Sequence, residues 1–202
     1  MKWAIDLDGV VANYWGAWAR LANELYPGIL PDGYQPTNLD LPEIDPAKRQ
    51  AVYDRLHRTF NFWMSLDSHR ENVRAIANHR IAHPSDEVYY VTARKPTRGM
   101  PVVHQSARWL EMCGIAGIGT AVICSHGNGD KHSILEALQI DAYVDDGLDE
   151  VMISMARGGP HISYLLDRPW NQDRWSGVRV VPNLATFFRE APRGTTRTAL
   201  QM

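Results

Sequence analysis

Cysteine is almost absent from this chain: 202 residues carry two, Cys113 and Cys124, isolated from each other in sequence. That excludes a disulfide framework and a cysteine-rich zinc site, and it fits a reducing, cytoplasmic setting. Charge of one sign is also lacking. The net charge is -2 and the sequence pI is about 6.4, so no basic footprint for long nucleic acid is present. No apolar run approaches a membrane span, and no membrane partner is expected. With a first strand expected from residue 2, no secretory leader is expected. There is no internal repeat and no low-complexity tract. The phosphate loop of NTPases, the dinucleotide glycine fingerprint and the serine-hydrolase elbow are all missing, which removes those three common enzyme classes.

What is present begins at the start of the chain. The run Lys2-Trp3-Ala4-Ile5-Asp6-Leu7-Asp8-Gly9-Val10-Val11-Ala12 is an apolar segment leading into two aspartates one residue apart. It reads as a buried strand opening into a loop, with Gly9 allowing a sharp turn. Two carboxylates about 4 Å apart repel by roughly 4 kcal/mol at an effective dielectric near 20. A hard divalent cation with oxygen ligands is the natural compensation. Alone, the motif is equally well read as an acidic loop in solvent, so the downstream sequence has to decide.

Asn13 is expected to cap a helix running to about Tyr26, with Trp15, Trp18, Ala19, Ala22 and Leu25 on its apolar face. Pro27 to Pro36 breaks regular structure. A second helix is expected from Pro46 towards Phe60, and Phe60, Phe62 and Trp63 should form an aromatic knot. Ser68-His69-Arg70-Glu71 reads as a capping box opening a third helix. From residue 86, strands and helices alternate. Strands are expected at Val88–Val91, Ala121–Cys124, Ile140–Val144, His161–Leu166 and Val178–Val181. Helices follow, one of them with Val103, Ala107, Leu110 and Met112 inward, another starting at Asp130 or Lys131 after a Gly127–Gly129 loop, then Leu148–Met155 and Leu184–Phe188.

The expected fold class is α/β. A Rossmann-like parallel sheet flanked by helices carries a small helical cap inserted after the first strand. The core would comprise residues 1–13 and 85–190, the cap 14–84, and residues 191–202 a flexible C-terminal tail.

Four polar clusters fall at or just after strand or loop ends: Asp6/Asp8, Thr92, Lys131 and Asp145/Asp146. Strand C-termini of a parallel sheet share one edge, so these groups can converge. Asp6 and Asp145 could then hold Mg²⁺, with the Asp8 carbonyl and waters completing an octahedron. One carboxylate could attack phosphorus and a second pass protons, while a hydroxyl and an ammonium steady the phosphoryl oxygens.

These residues, in this order, resemble the haloacid dehalogenase superfamily of phosphohydrolases. Asp6-x-Asp8-Gly9-Val10-x-Ala12 with Asn13-Tyr14, a helical insert, and Asn61-Phe62-Trp63-Met64-Ser65-Leu66 are similar to its 5′(3′)-deoxyribonucleotidase family. The resemblance implies a Mg²⁺-dependent phosphomonoesterase that hydrolyses (deoxy)nucleoside monophosphates through a phospho-aspartate. It implies that Asp6 is the nucleophile and Asp8 the general acid/base. Thr92, Ala93 and Lys131 would bind phosphate. The metal would be held by Asp6, the Asp8 carbonyl and Asp145, with Asp146 orienting a metal-bound water from behind. Tyr14 and Trp63 are candidate substrate contacts, and Arg94 could supply positive charge near the substrate. Gly147 stands where several relatives have a basic residue, and Thr92-Ala93-Arg94 departs from the mammalian Thr-Ser pair, so base, sugar and phosphate position are left open.

Plainer readings stand beside these. The tryptophans and phenylalanines of the insert serve equally as cap core. His79 and His83 have a metal-site spacing but read as a solvated helix end, and Arg168, Trp170 and Asn171 could shape the substrate mouth or close a turn, the turn being favoured. The same chemistry could serve a sugar phosphate or a 3′-phosphate end, or the fold could bind nucleotides without catalysis. The expected partner is a small phosphorylated metabolite, and a homodimer is left open.

Overall fold

The structure, a computed structural model, describes residues 1–117, 120–125, 130–158, 161–173 and 177–192. Six strands form one parallel sheet: β1 (Lys2–Ile5), β2 (Glu87–Thr92), β3 (Thr120–Cys124), β4 (Ala142–Asp145), β5 (Ile162–Leu166) and β6 (Val180–Val181). Their order is β3-β2-β1-β4-β5-β6. The opening strand is therefore central, paired with β2 from Lys2↔Glu87 and with β4 from Trp3↔Ala142. The central strands β1, β4 and β5 are short apolar runs buried on both faces, as a parallel sheet covered by helices requires, while edge strand β3 is half-buried throughout.

Seven α-helices accompany the strands among the described residues: α1 (Tyr14–Leu25), α2 (Pro46–Arg58), α3 (Arg70–Ala82), α4 (Val102–Met112), α5 (Asp130–Ala137), α6 (Leu148–Arg157) and α7 (Leu184–Glu190). Side chains alternate across the sheet. Trp3, Ile5, Tyr90 and Val144 join one core with Trp109 of α4, Ile76 of α3 and Phe187 of α7. Ala4, Val91 and Tyr143 join another with Leu135 of α5. Asn13 caps α1 by accepting from the Gly16 amide, and Asp45 caps α2 ahead of Pro46, so both insert helices start where local chemistry places them.

Several local expectations are corrected. Ser68 opens no capping box: it bridges Ala12, and α3 starts at Arg70 after His69, which makes no side-chain cap. Long-range pairing took the residue that the motif needed. α3 also packs on α7, and its His79 stacks on Phe188 and meets the edge of Trp3. It is the crossover between β1 and β2 on the sheet's face rather than part of the cap stretch 14–84; α1 and α2 pack on each other. His79 is buried beside Asp86, not at a solvated helix end. The buried face of α4 is Gln105, Ser106, Trp109 and Leu110, while Val103 and Met112 are exposed. Phe60 leaves the aromatic knot: it is 67% exposed, whereas Phe62 and Trp63 are buried edge to face. Leu25, at the end of α1, is exposed as well. Ala191, expected in the tail, is buried as the C-cap of α7. The Gly127–Gly129 loop and residues 193–202 lie outside the described residues. No described helix is long and apolar enough to cross a membrane.

Candidate active site

Asp6 follows β1, and continuing the alternation puts its side chain on the Ala4 face. Its amide donates to the Val144 carbonyl at 3.0 Å, which extends the pairing with β4 by one residue. Asp145, the last residue of β4, shares that face with Tyr143. Lys131 arrives on the same side from the first turn of α5. Its ammonium donates to Asp6 Oδ1 and to Asp145 Oδ2, both at 2.7 Å. All three are buried. The convergence expected from the sequence is thus built by strand parity and one helix N-terminus.

The environment of this trio is dominated by burial. Desolvation pushes the Asp6 carboxyl well above the usual range; Lys131 opposes the shift, and Asp145, Asp146 and Asp8 add to it. Burial alone would lower Lys131, but Asp145 and Asp6 together outweigh it and push the ammonium well up. Lys131 is therefore a fixed cation between two carboxylates. Asp146 joins them: carboxylate oxygens of Asp6, Asp145 and Asp146 all lie within 4.8 Å of one another. Burial and Asp145 raise the Asp146 carboxyl to about 7.

The donor set fits a hard divalent cation. Fully ionised, the three clustered carboxylates leave two charges that Lys131 does not cancel, and oxygen donors suit Mg²⁺. The two neighbouring aspartates differ, however. Asp145 is heavily engaged: Oδ2 takes both Lys131 and the Tyr143 hydroxyl, and Oδ1 takes the Gly147 amide at 2.7 Å. Asp146, expected behind the metal, instead stands within the cluster, with its Oδ2 taking the Trp170 indole N–H at 3.0 Å.

Asp8 follows on the same loop. Its side chain is not in that cluster; it turns to Arg94. Arg94 Nε contacts both Asp8 oxygens at 3.1 and 3.0 Å, and Nη2 donates to Oδ1 at 2.8 Å. The guanidinium is buried, donates to Ser106 at 3.0 Å, and lies 4.9 Å from the Trp63 ring and 5.6 Å from the Trp109 ring. Arg94 is therefore not a spare charge in the mouth but the partner of Asp8.

These groups line a cavity of about 330 Å³, together with Thr92, Ala93, Tyr14, Trp63 and residues of α2. Trp63 is pinned by its indole N–H on the Lys95 carbonyl at 2.9 Å and its amide on Gln105 Oε1 at 3.1 Å. Tyr14 stacks against it at 6.0 Å and bonds to Tyr53 of α2. Every residue singled out from the sequence for the site lies at this cavity wall.

Three contributors were not assigned to the site from the sequence. Tyr143 was legible only as a strand residue, although its spacing of two from Asp145 puts both on one face. Arg168 and Trp170 were read as a turn. They do form one, Pro169–Asn171, but Arg168 Nε donates to the Gly9 carbonyl at 2.6 Å and Trp170 holds Asp146. Asn171 donates to the carbonyls of Asp146 and Leu166.

No protein-family model matches the sequence, and no curated protein matches it. Solved structures do resemble the fold. A haloacid dehalogenase-superfamily hydrolase of subfamily IA from Geobacter sulfurreducens is 10% identical, with a TM-score of 0.58 over 93% of this chain and 97% of that one. A haloacid dehalogenase family hydrolase from Deinococcus radiodurans, with bound phosphate and sodium, is 16% identical, with a TM-score of 0.54 over 92% of each chain. CbbY from Rhodobacter sphaeroides, in complex with xylulose-1,5-bisphosphate, is 14% identical, with a TM-score of 0.51 over 91% of this chain and 94% of that one. At these identities the likeness is one of architecture, and by that measure the chain has the haloacid dehalogenase-like α/β fold.

Proposed function

We propose that this chain is a Mg²⁺-dependent phosphomonoesterase acting on a small phosphorylated metabolite, a (deoxy)nucleoside monophosphate in the first reading, through a phospho-Asp6 intermediate. The observation that carries the proposal is Lys131 joined to both Asp6 and Asp145, with Asp146 alongside, at the carboxyl edge of a parallel sheet. The phosphate bound in the Deinococcus radiodurans relative supports the substrate class.

In this reading Asp6, Asp145, Asp146 and the Asp8 carbonyl would hold the cation, which would supply positive charge against the transferring phosphoryl oxygens. Asp6 attacks phosphorus, forming the Asp6–phosphorus bond as the bond to the leaving oxygen breaks. Lys131 and Thr92 hold the phosphoryl oxygens. Protonated Asp8 gives its proton to the leaving oxygen, then takes one from the water that attacks phospho-Asp6, which frees phosphate and restores the Asp6 carboxylate and the Asp8 carboxylic acid. For that exchange Asp8 turns an oxygen from Arg94 towards Asp6. Tyr14 and Trp63 offer an aromatic wall for a base.

A sugar phosphate is the second reading, favoured by the CbbY complex. The deciding experiment is a screen of nucleoside monophosphates and sugar phosphates with Mg²⁺ and with EDTA. Release of phosphate from a nucleoside monophosphate, lost in EDTA, is expected. Release from sugar phosphates alone would move the substrate. No release from any monoester would overturn the enzyme reading.

A further inference from the structure

We propose that Trp170 is a positioning residue for the cation site, fixing the Asp146 carboxylate and tying it to helix α1. This rests on the cation-dependent reading above.

Trp170 sits on the short turn after β5, which Pro169 starts and the Asn171 side chain closes on the Arg168 amide at 3.0 Å. Its indole Nε1 donates to Asp146 Oδ2 at 3.0 Å. The next residue, Asn171, donates to the Asp146 backbone carbonyl at 3.0 Å. Both ends of Asp146 are thus held from one turn. The opposite side is closed by Gly9: a Cβ built there would stand 2.2 Å from Asp146 Oδ2. The carboxylate lies between the Gly9 backbone and an indole N–H.

Like charge makes that clamp consequential. Asp146 faces Asp6 and Asp145 within 4.8 Å, and an unrestrained carboxylate would turn away from two negative neighbours. A buried indole N–H needs an acceptor, and many backbone carbonyls would satisfy it. Here it is spent on the one carboxylate whose rotation decides whether three oxygens can face a shared cation. The same ring meets Trp15 of α1 at 6.3 Å, edge to face, and Tyr14 beside it lines the cavity. Cation ligand and cap helix therefore share a rigid aromatic link.

Substrate-free Mn²⁺ binding, followed by the electron paramagnetic resonance of the free ion, tests this. Trp170→Phe keeps an aromatic ring near Trp15 and removes the N–H together with the pyrrole half of the indole. It should weaken Mn²⁺ binding about 10-fold, the usual scale for a group that orients a metal ligand. Its Tm in EDTA should fall only modestly, as a smaller ring in a buried seat requires, and circular dichroism should show the fold kept. Asp146→Asn should bind Mn²⁺ weakly, and adding Trp170→Phe to it should weaken it no further. If Trp170→Phe does not fold, Trp170→His, which retains an N–H, takes its place and should bind better than Asp146→Asn. Mn²⁺ affinity unchanged in Trp170→Phe, or no better in Trp170→His than in Asp146→Asn, overturns the positioning role. Absence of Mn²⁺ binding by the unaltered protein would instead overturn the cation reading itself.

Discussion

Arg94 grips Asp8 through both carboxylate oxygens, from a seat between the rings of Trp63 and Trp109. The planar fork of a guanidinium makes that two-point hold, and a lysine ammonium cannot reproduce it. Arg94→Lys should therefore lower kcat about 100-fold, the scale of a misplaced acid/base group, with KM little changed. Steady-state kinetics on the best monoester from the substrate screen checks this. A fall confined to KM would place Arg94 in substrate binding instead.

Asp6 carries the bond-forming step in the proposed mechanism. Asp6→Asn should abolish turnover by at least about 10³-fold, because amide nitrogen and oxygen offer no comparable nucleophile. The fold should survive, since the substitution removes one of three crowded carboxylates and keeps an acceptor for Lys131. Circular dichroism and phosphate release, measured together, settle it. Metal-dependent turnover retained in this variant would remove Asp6 from that role.

Gly9 combines a left-handed backbone, φ +79°, with the close approach of Asp146. Gly9→Ala should cost about 2 kcal/mol or more, from the dihedral and from displacing the carboxylate. Chemical denaturation reads the first effect and cation affinity the second.

Acid should weaken the fold partly through His69. Burial and the neighbouring Arg168 guanidinium pull its imidazole down to about 4 from an ordinary 6.5. Between those values the unfolded chain takes up a proton that the folded one refuses. The contribution of His69 is then complete above pH 6.5 and is lost as the pH falls towards 4. His69 is partly exposed, so the loss by pH 5 is about 1 kcal/mol after solvent screening. Urea unfolding of His69→Gln beside the unaltered protein, at pH 7 and pH 5, should show the gap between them closing in acid.

Much of this site was readable before any coordinates. Asp6, Thr92, Lys131 and Asp145 each lie at the end of a strand or the start of a helix, and parallel topology alone brings such positions to one edge. Arrangement within the cluster was less legible. The sequence shows Asp145 and Asp146 as neighbours, but only pairing reveals that Asp145 is occupied by Tyr143, Lys131 and the Gly147 amide while Asp146 is clasped by Trp170. The misreadings share one cause. Ser68, His79 and the face of α4 were judged from local pattern, and each was decided by a partner far along the chain: Ala12 for Ser68, Phe188 for His79, and the Arg94 guanidinium for Ser106 of α4.

The central position of β1 also governs how the molecule comes into being. Its first residue in the sheet, Lys2, aligns with Glu87, and Trp3 aligns with Ala142. On the ribosome this apolar strand waits, unpaired, through the making of some eighty residues before a neighbour exists. Such remote pairing slows folding and leaves a nascent chain open to aggregation. Polypeptides that terminate before β4 would carry Asp6 with neither Asp145 nor a second flank for its strand, so no catalytic competence should accrue until β4 has been made.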